Sequence, residues 1–346
     1  MTRAAEVETK LAVGVDVGKS ELVAAIWVVS EKRAEELGAV ANSVEGIAQL
    51  IQRVEERQKA LGMSGVHLAV EPTGKYEAHL AYETHQRGWQ VSVVNPVAVR
   101  DYAGSLGRRA KTDQQDALVL ARYTAERQPA AWTPPSEAMD ELDMLLSRRR
   151  DLASMLQAER NRQHSFAWRI RVASAVQHTL AENIQHLERA LAEIEQAITD
   201  LYDQNPPMAE EAARLDTIPG VGPKTIPPLL AVLLRYDQLT AGHGTHRGLT
   251  AFVGLDATVH TSGTSVHKRG LISKKGDPIV RAALYQAALG AIRGHNAVHA
   301  TYDRMVASGK PKLVALVACA HKILIWAWHI FRNKTPYDPA LHVKSA

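Results

Sequence analysis

Cysteine is nearly missing from this 346-residue chain. Cys319 stands alone, which rules out an intrachain disulfide and leaves no cysteine set for a zinc ion. No N-terminal stretch joins a basic start to an apolar run and a small-residue cleavage site. Residues 1–10 therefore read as a polar tail, and a reducing, cytoplasmic setting is expected. Residues 313–331 are very apolar but carry His321 and Lys322 in mid-span, so they read as a buried helix and no membrane is expected. The length allows two globular units, or two with a helical spacer.

Acidic residues are scarce in one long stretch. Residues 260–334 hold twelve lysines and arginines against only Asp277 and Asp303, a balance of +10, while the remainder of the chain carries −6. That asymmetry is the electrostatic footprint of a polyanionic partner, although a merely solvated basic surface has the same composition. Eight of the fifteen histidines lie between residues 243 and 329. His295 and His299 share a helix face there, but no acid or cysteine completes a zinc set, so phosphate contact or packing is expected of them.

Glycine and proline are both missing from residues 136–205. Within that stretch Leu180, Ile184, Leu187, Leu191, Ile194, Ile198 and Leu201 alternate steps of four and three, the seam of a coiled coil. Such a seam suits self-association or packing within the chain. Thr179 with Glu182 resembles a capping box, so the region reads as two helices folded back on each other. Pro129, Pro134 and Pro135 mark its start, Pro206 and Pro207 its end.

What precedes and follows differs in kind. Residues 11–17, 21–29, 66–70 and 90–94 read as strands, with helices over 43–61 (Ser43 as cap), over 76–87, and from about Thr112 to Glu126. Strands interleaved with helices predict an α/β domain over 1–128. A linker and coiled coil over 129–207 and a mostly helical domain over 208–346 complete the expected organisation.

Four carboxylates in the α/β part have the positions metal ligands need. Asp16 sits at the end of the first strand, Glu71 at the end of a later one, and Asp113 and Asp116 share one face of a helix start. Gathered at one point they would repel one another unless divalent cations neutralised them, and hard oxygen donors suit Mg²⁺ or Mn²⁺. Two such ions about 4 Å apart activate the attacking oxygen and stabilise the leaving one in phosphodiester chemistry. Taken singly, each acid is equally explained by a strand-end turn or by a helix dipole. The run Gly14-Val15-Asp16-Val17-Gly18-Lys19-Ser20 also looks like a phosphate loop of actin-like ATPases, but the second glycine-rich loop those proteins need is missing.

In the C-terminal part, Ile218-Pro219-Gly220-Val221-Gly222-Pro223-Lys224 resembles a helix-hairpin-helix. Gly220 and Gly222 permit a tight turn offering N–H groups to a phosphate, and Lys224 adds a charge. A plain interhelical turn is the alternative. Further on, Ser262 beside Gly263 lies in a polar loop followed by Lys268, Arg269, Lys274, Lys275 and Arg281, a setting for a hydroxyl that attacks a phosphate. Spacing leaves Ser265 and Ser273 as equal candidates, and loop serines also simply form turns.

Together these residues resemble the IS110 family of insertion-sequence transposases. The likeness rests on Gly14 to Lys19, on Glu71-Pro72-Thr73-Gly74-Lys75-Tyr76, on Asn95-Pro96 with Arg100, and on Ala110-Lys111-Thr112-Asp113 with Asp116-Ala117. The C-terminal part adds the Ile218 hairpin and the run from Gly254 through Thr261-Ser262-Gly263 to Lys274-Lys275-Gly276. Ala257 stands where that family often has proline. The resemblance implies a RuvC-like, ribonuclease-H-like N-terminal domain with Asp16, Glu71, Asp113 and Asp116 as the metal tetrad. It implies Ser262 as nucleophile, a coiled-coil spacer, a homo-oligomer (dimer or tetramer) on donor and target DNA, and a structured guide RNA, the bridge RNA. A prokaryotic, nucleoid-associated location goes with it. Two other readings remain: a RuvC-like nuclease or resolvase that does not use the serine, and a nucleic-acid-binding protein with no catalysis.

Overall fold

The computed structural model describes residues 10–106, 112–262 and 266–340, the side chains of 258–270 excepted. Contacts divide the chain into two compact units, Met1–Pro134 and Pro135–Ala346.

The first unit is a five-stranded sheet ordered β3-β2-β1-β4-β5, with β1 Lys10–Val17, β2 Glu21–Val28, β3 Arg33–Ala41, β4 Gly65–Val70 and β5 Gln90–Val93. The first three strands run antiparallel, and β4 and β5 continue parallel to β1. Alternation sorts the side chains of β1 to two faces. Leu11, Val13, Val15 and Val17 share a core with Ile47, Leu50, Ile51 and Val54 of α1 (Val44–Ala60), which Ser43 caps by accepting from the Gly46 amide at 3.2 Å. Ala12 and Gly14 face the other way, where α4 (Asp113–Arg127) lies. A Cβ on Gly14 would stand 2.2 Å from the Ala121 nitrogen and 2.4 Å from the Ala117 oxygen, so only glycine lets this helix settle backbone-to-backbone on the strand. Helices α2 (Ala78–Gln86) and α3 (Pro96–Ser105) complete the unit. The proline-marked stretch after α4 is part of it: the Trp132 amide donates to Val91, and the Ser92 hydroxyl bonds the Pro129 and Ala130 carbonyls.

The second unit opens with α5 (Glu137–Ser165) and α6 (Ser174–Gln204), joined by a 3-10 turn, Phe166–Trp168. The chain reverses there and not at the expected capping box. Thr179 lies inside α6, its hydroxyl donating back to Ala175. After the 3-10 turn the backbone is extended at Arg169, and the β-branched Ile170 and Val172 favour that state over helix. The periodic seam of α6 packs on Leu152 and Leu156 of α5 in the same chain. Leu142, Ile198 and Leu201 at the other end of this helical hairpin belong to the main core of the unit. That core also takes in α7 (Pro206–Asp216), α8 (Ile226–Leu239), α9 (His246–Val253), α10 (Pro278–Ala291), α11 (Ala297–Ala307) and α12 (Lys312–Asn333). Helix α12 is long and apolar enough to cross a membrane, yet Cys319, Ile323, Leu324, Trp328 and their neighbours are buried inside the unit. Its mid-span polar groups are partnered: His321 with the Thr250 hydroxyl at 3.0 Å and Lys322 with that of Thr301 at 3.0 Å.

Candidate active site

Parallel pairing ends at Val15 opposite Val70, so Asp16 and Glu71 each lie one residue beyond it on neighbouring strands. Alternation puts both on the face that carries Gly14 and Ala69, which is the face α4 covers. The direction of α4 follows from its contacts: its start packs Ala117 over Gly14, while Arg122 lies 4.9 Å above the ring of Trp27, which pairs with Ala12. The first turn of α4, with Asp113 and Asp116, therefore comes over the carboxyl ends of β1 and β4. Thr112 caps it, accepting from the Gln115 amide at 3.2 Å. Asp16, Glu71 and Asp116 are half-buried and Asp113 is exposed. The oxygen donors fit a hard divalent cation. Among the described residues, however, no three acidic, histidine or cysteine side chains are gathered closely enough to hold one.

The segment expected as a polar loop around Ser262 is an antiparallel ribbon, β6 Ala257–Ser262 with β7 Val266–Ile272. Thr258, Val259 and Thr261 are β-branched, which suits a strand. Ser262, its last residue, pairs with Val266. The Ser262, Lys268 and Arg269 side chains lie outside the described residues, as does Ser265 altogether.

The foot of the ribbon is fully described, and it is clamped. Ser273 donates its hydroxyl to Asp256 and its amide to the Asp256 carbonyl, while the Lys274 amide donates to Gly254. Gly254 and Gly276 bring the two chain segments together: a Cβ on Gly276 would lie 2.1 Å from the Phe252 oxygen. Arg281 reaches across to the Val253 and Gly276 carbonyls, so its guanidinium braces this junction. Ser273 is thus committed to a structural bond, and Asp256, which sequence reasoning missed, is its partner. Lys274 and Lys275 stand exposed beside it.

The glycine-proline hairpin does join two helices, α7 and α8. Pro227 and Pro228 fall within the first turn of α8, where proline is tolerated. Gly220 adopts φ +84° and packs on α10, where a Cβ would lie 2.1 Å from the Ala287 oxygen. The Gly222 amide donates to Thr225 at 2.9 Å. Lys224 is exposed. Behind this turn lies a cavity of about 400 Å³, lined by Tyr202, Ile198, Ala212, Ile226 and the Lys224 stem.

Residues 13–170 match the model of DEDD transposases of the IS110 type, and residues 212–303 match that of the transposase IS116/IS110/IS902 family. Over 302 residues the chain is 32% identical to the pilin gene-inverting proteins of Moraxella lacunata and Moraxella bovis, covering 87% of this chain and 90% of each relative. The chain belongs to the IS110 family of transposases. It also matches an uncharacterized 43.6 kDa protein of the insertion element IS110 from Streptomyces coelicolor, 30% identical over 36% of this chain and 29% of that one. As an IS110-family transposase it is an enzyme that acts on DNA. The first matched segment contains all four carboxylates and the second contains Ser262.

Proposed function

We propose that this transposase cuts and rejoins DNA strands through the Ser262 hydroxyl, assisted by a divalent cation, Mg²⁺ or Mn²⁺, held by Asp16, Glu71, Asp113 and Asp116. Bound there, the cation would lower the cost of charge building on the phosphodiester oxygens. The Ser262 oxygen attacks phosphorus and gives up its proton. The bond to the 3′ oxygen breaks, and that oxygen leaves as a free 3′-hydroxyl, so the strand is held on the protein through a serine-phosphate ester. A 3′-hydroxyl from another strand then attacks the ester, restores a phosphodiester and returns the serine. Energy is conserved because one ester replaces another.

The observation that supports this reading most is the shared sheet face of Asp16 and Glu71 beneath the first turn of α4. The strand order with three antiparallel strands followed by two parallel ones is compatible with a ribonuclease-H-like domain. Lys268, Arg269, Lys274 and Lys275, with Lys224 beside the Gly220–Gly222 turn, would meet the phosphate backbone of donor and target DNA. The wider reading adds a homo-oligomer on the DNA and a bridge RNA that selects both sites.

The test compares variants on plasmids carrying donor and target sites. Ser262→Ala should abolish both the covalent protein–DNA adduct and strand exchange, as should Asp16→Asn or chelation of the metal. Ser273→Ala should stay within about ten-fold of wild type, because it removes a brace worth roughly 1 kcal/mol and no reacting atom. Continued cutting by Ser262→Ala would establish the metal nuclease reading instead. Unchanged exchange after neutralising the carboxylates would remove them from the chemistry.

A further inference from the structure

The helical hairpin is electrically divided. Residues 160–181, which form its tip, carry four arginines and no acid, whereas the shaft, 137–159 and 182–204, carries twelve acids against four arginines. Two tip arginines are neutralised by the shaft: Arg160 binds Glu188 at 2.7 Å and Arg162 binds Glu159 at 2.6 Å. Arg169 and Arg171 are exposed and make no ion pair among the described residues. Beside them Trp168 is 84% exposed and Ile170 is fully exposed. The other five tryptophans of the chain are buried or half-buried. An α-helix of 29 residues, the length of α5, carries its end about 44 Å along its axis.

We propose that this tip is a nucleic-acid contact, with Trp168 stacking on an unpaired base while Arg169 and Arg171 hold the flanking phosphates. An exposed indole bracketed by arginines supplies the two things single strands reward, a π face and a cation near the backbone. The acidic shaft repels phosphate, so attraction is confined to the end of the hairpin. An intact duplex hides its base faces in the stack, which is why an open indole face matches unpaired nucleotides better. Binding at the tip calls on neither the Ser262 hydroxyl nor the four carboxylates.

Trp168 emission provides the readout, since it is the one exposed tryptophan and reports the tip even where residues 260–334 dominate total affinity. The whole 346-residue chain in chelator is titrated with an oligodeoxyadenylate of about twelve nucleotides, and with a duplex of equal length. The single strand should quench the emission, and Trp168→Ala should remove the quench and weaken binding about five-fold or more. Trp168→Phe should keep most of the affinity. Changing both Arg169 and Arg171 to Ala should flatten the salt dependence by about 1.4 in log–log slope, some 0.7 per phosphate. Equal binding and equal emission change in wild type and Trp168→Ala would overturn the proposal, as would quenching by duplex alone. A Trp168→Ala variant that sediments differently but binds the single strand normally would overturn it too, and would assign the tip to a second copy of the chain.

Discussion

The two units hold their candidate reactive groups by different means. In the first, Asp16 rides on a strand with neighbours on both sides, and α4 reaches it through direct backbone contact at Gly14. In the second, Ser262 ends a ribbon of two strands, each with one ladder, whose foot is fixed by side chains: Asp256 on Ser273, and Arg281 on two carbonyls. If the carboxylates are the ligands proposed, a rigid sheet suits them, because small displacements cost a great deal at a reacting centre. If Ser262 is the group that meets a separately bound strand, a two-stranded ribbon on a braced foot suits that task. One unit spends backbone fit and the other spends hydrogen bonds.

Adding a single methyl group tests that distinction hardest. In Gly14→Ala the new Cβ meets backbone atoms of α4 at 2.2 and 2.4 Å, where nothing can rotate away. Helix α4 must lift off the sheet, carrying Asp113 and Asp116 with it, at a cost of about 3 kcal/mol or more. Hydrogen exchange should speed up across β1 and α4, and strand exchange should fall below detection. Helices of the second unit should keep their protection. Native-like protection in β1 and α4 of Gly14→Ala would show that the helix does not rest on the strand as described.

A smaller effect separates the units by pH. His67 lies buried on β4, its Nε2 2.9 Å from the Ser92 hydroxyl, and burial, reinforced by Lys10, lowers its pKa to about 4. An unfolded histidine titrates near 6.5, so the unfolded chain takes up the proton first as pH falls. Stability contributed by neutral His67 is complete above about 6.5 and is lost on going down towards 4, by up to about 3 kcal/mol. His67→Asn should flatten this limb of the unfolding curve. In the second unit burial, then His246, lowers His321 in the same direction, but that ring is half-buried. A His67→Asn protein with an unchanged acid limb would move the origin of the acid sensitivity elsewhere.

Much of this was legible wherever local chemistry and tertiary need agree. Helix α1 shows its apolar period and its Ser43 cap, α4 shows Thr112, and β1 and β2 lie within a residue of expectation because each is mostly apolar and a tight turn divides them. Strand β3 escaped notice because it is an edge strand, with Val40 its one buried residue and Arg33, Glu35 and Glu36 interrupting its apolar residues. Helix α3 escaped although Asn95 caps it and Pro96 opens it, since its apolar face is weak. At the candidate site, the positions of the four carboxylates could be read from strand ends and a cap. The reason for Gly14, the tie between Asp256 and Ser273, and the reversal at Phe166–Trp168 could not. Each depends on a neighbour distant in sequence or on a balance of weak local preferences.

The smallest effect compares two buried hydroxyls. In the first unit the Ser92 oxygen is within 2.9 Å of His67, 3.1 Å of the Pro129 carbonyl and 2.8 Å of the Ala130 carbonyl. Ser92→Ala strands those groups and should cost about 1–3 kcal/mol. In the second unit the Tyr202 hydroxyl is buried beside the cavity behind the hairpin turn and has no partner among the described residues. Removing it takes away a desolvation cost and no bond, so Tyr202→Phe should leave stability unchanged or raise it by about 1 kcal/mol. Thermal unfolding of the two variants side by side decides the matter. If Tyr202→Phe loses as much as Ser92→Ala, the phenol is bonded after all, most simply to water in the cavity, and the second unit seals its interior as tightly as the first.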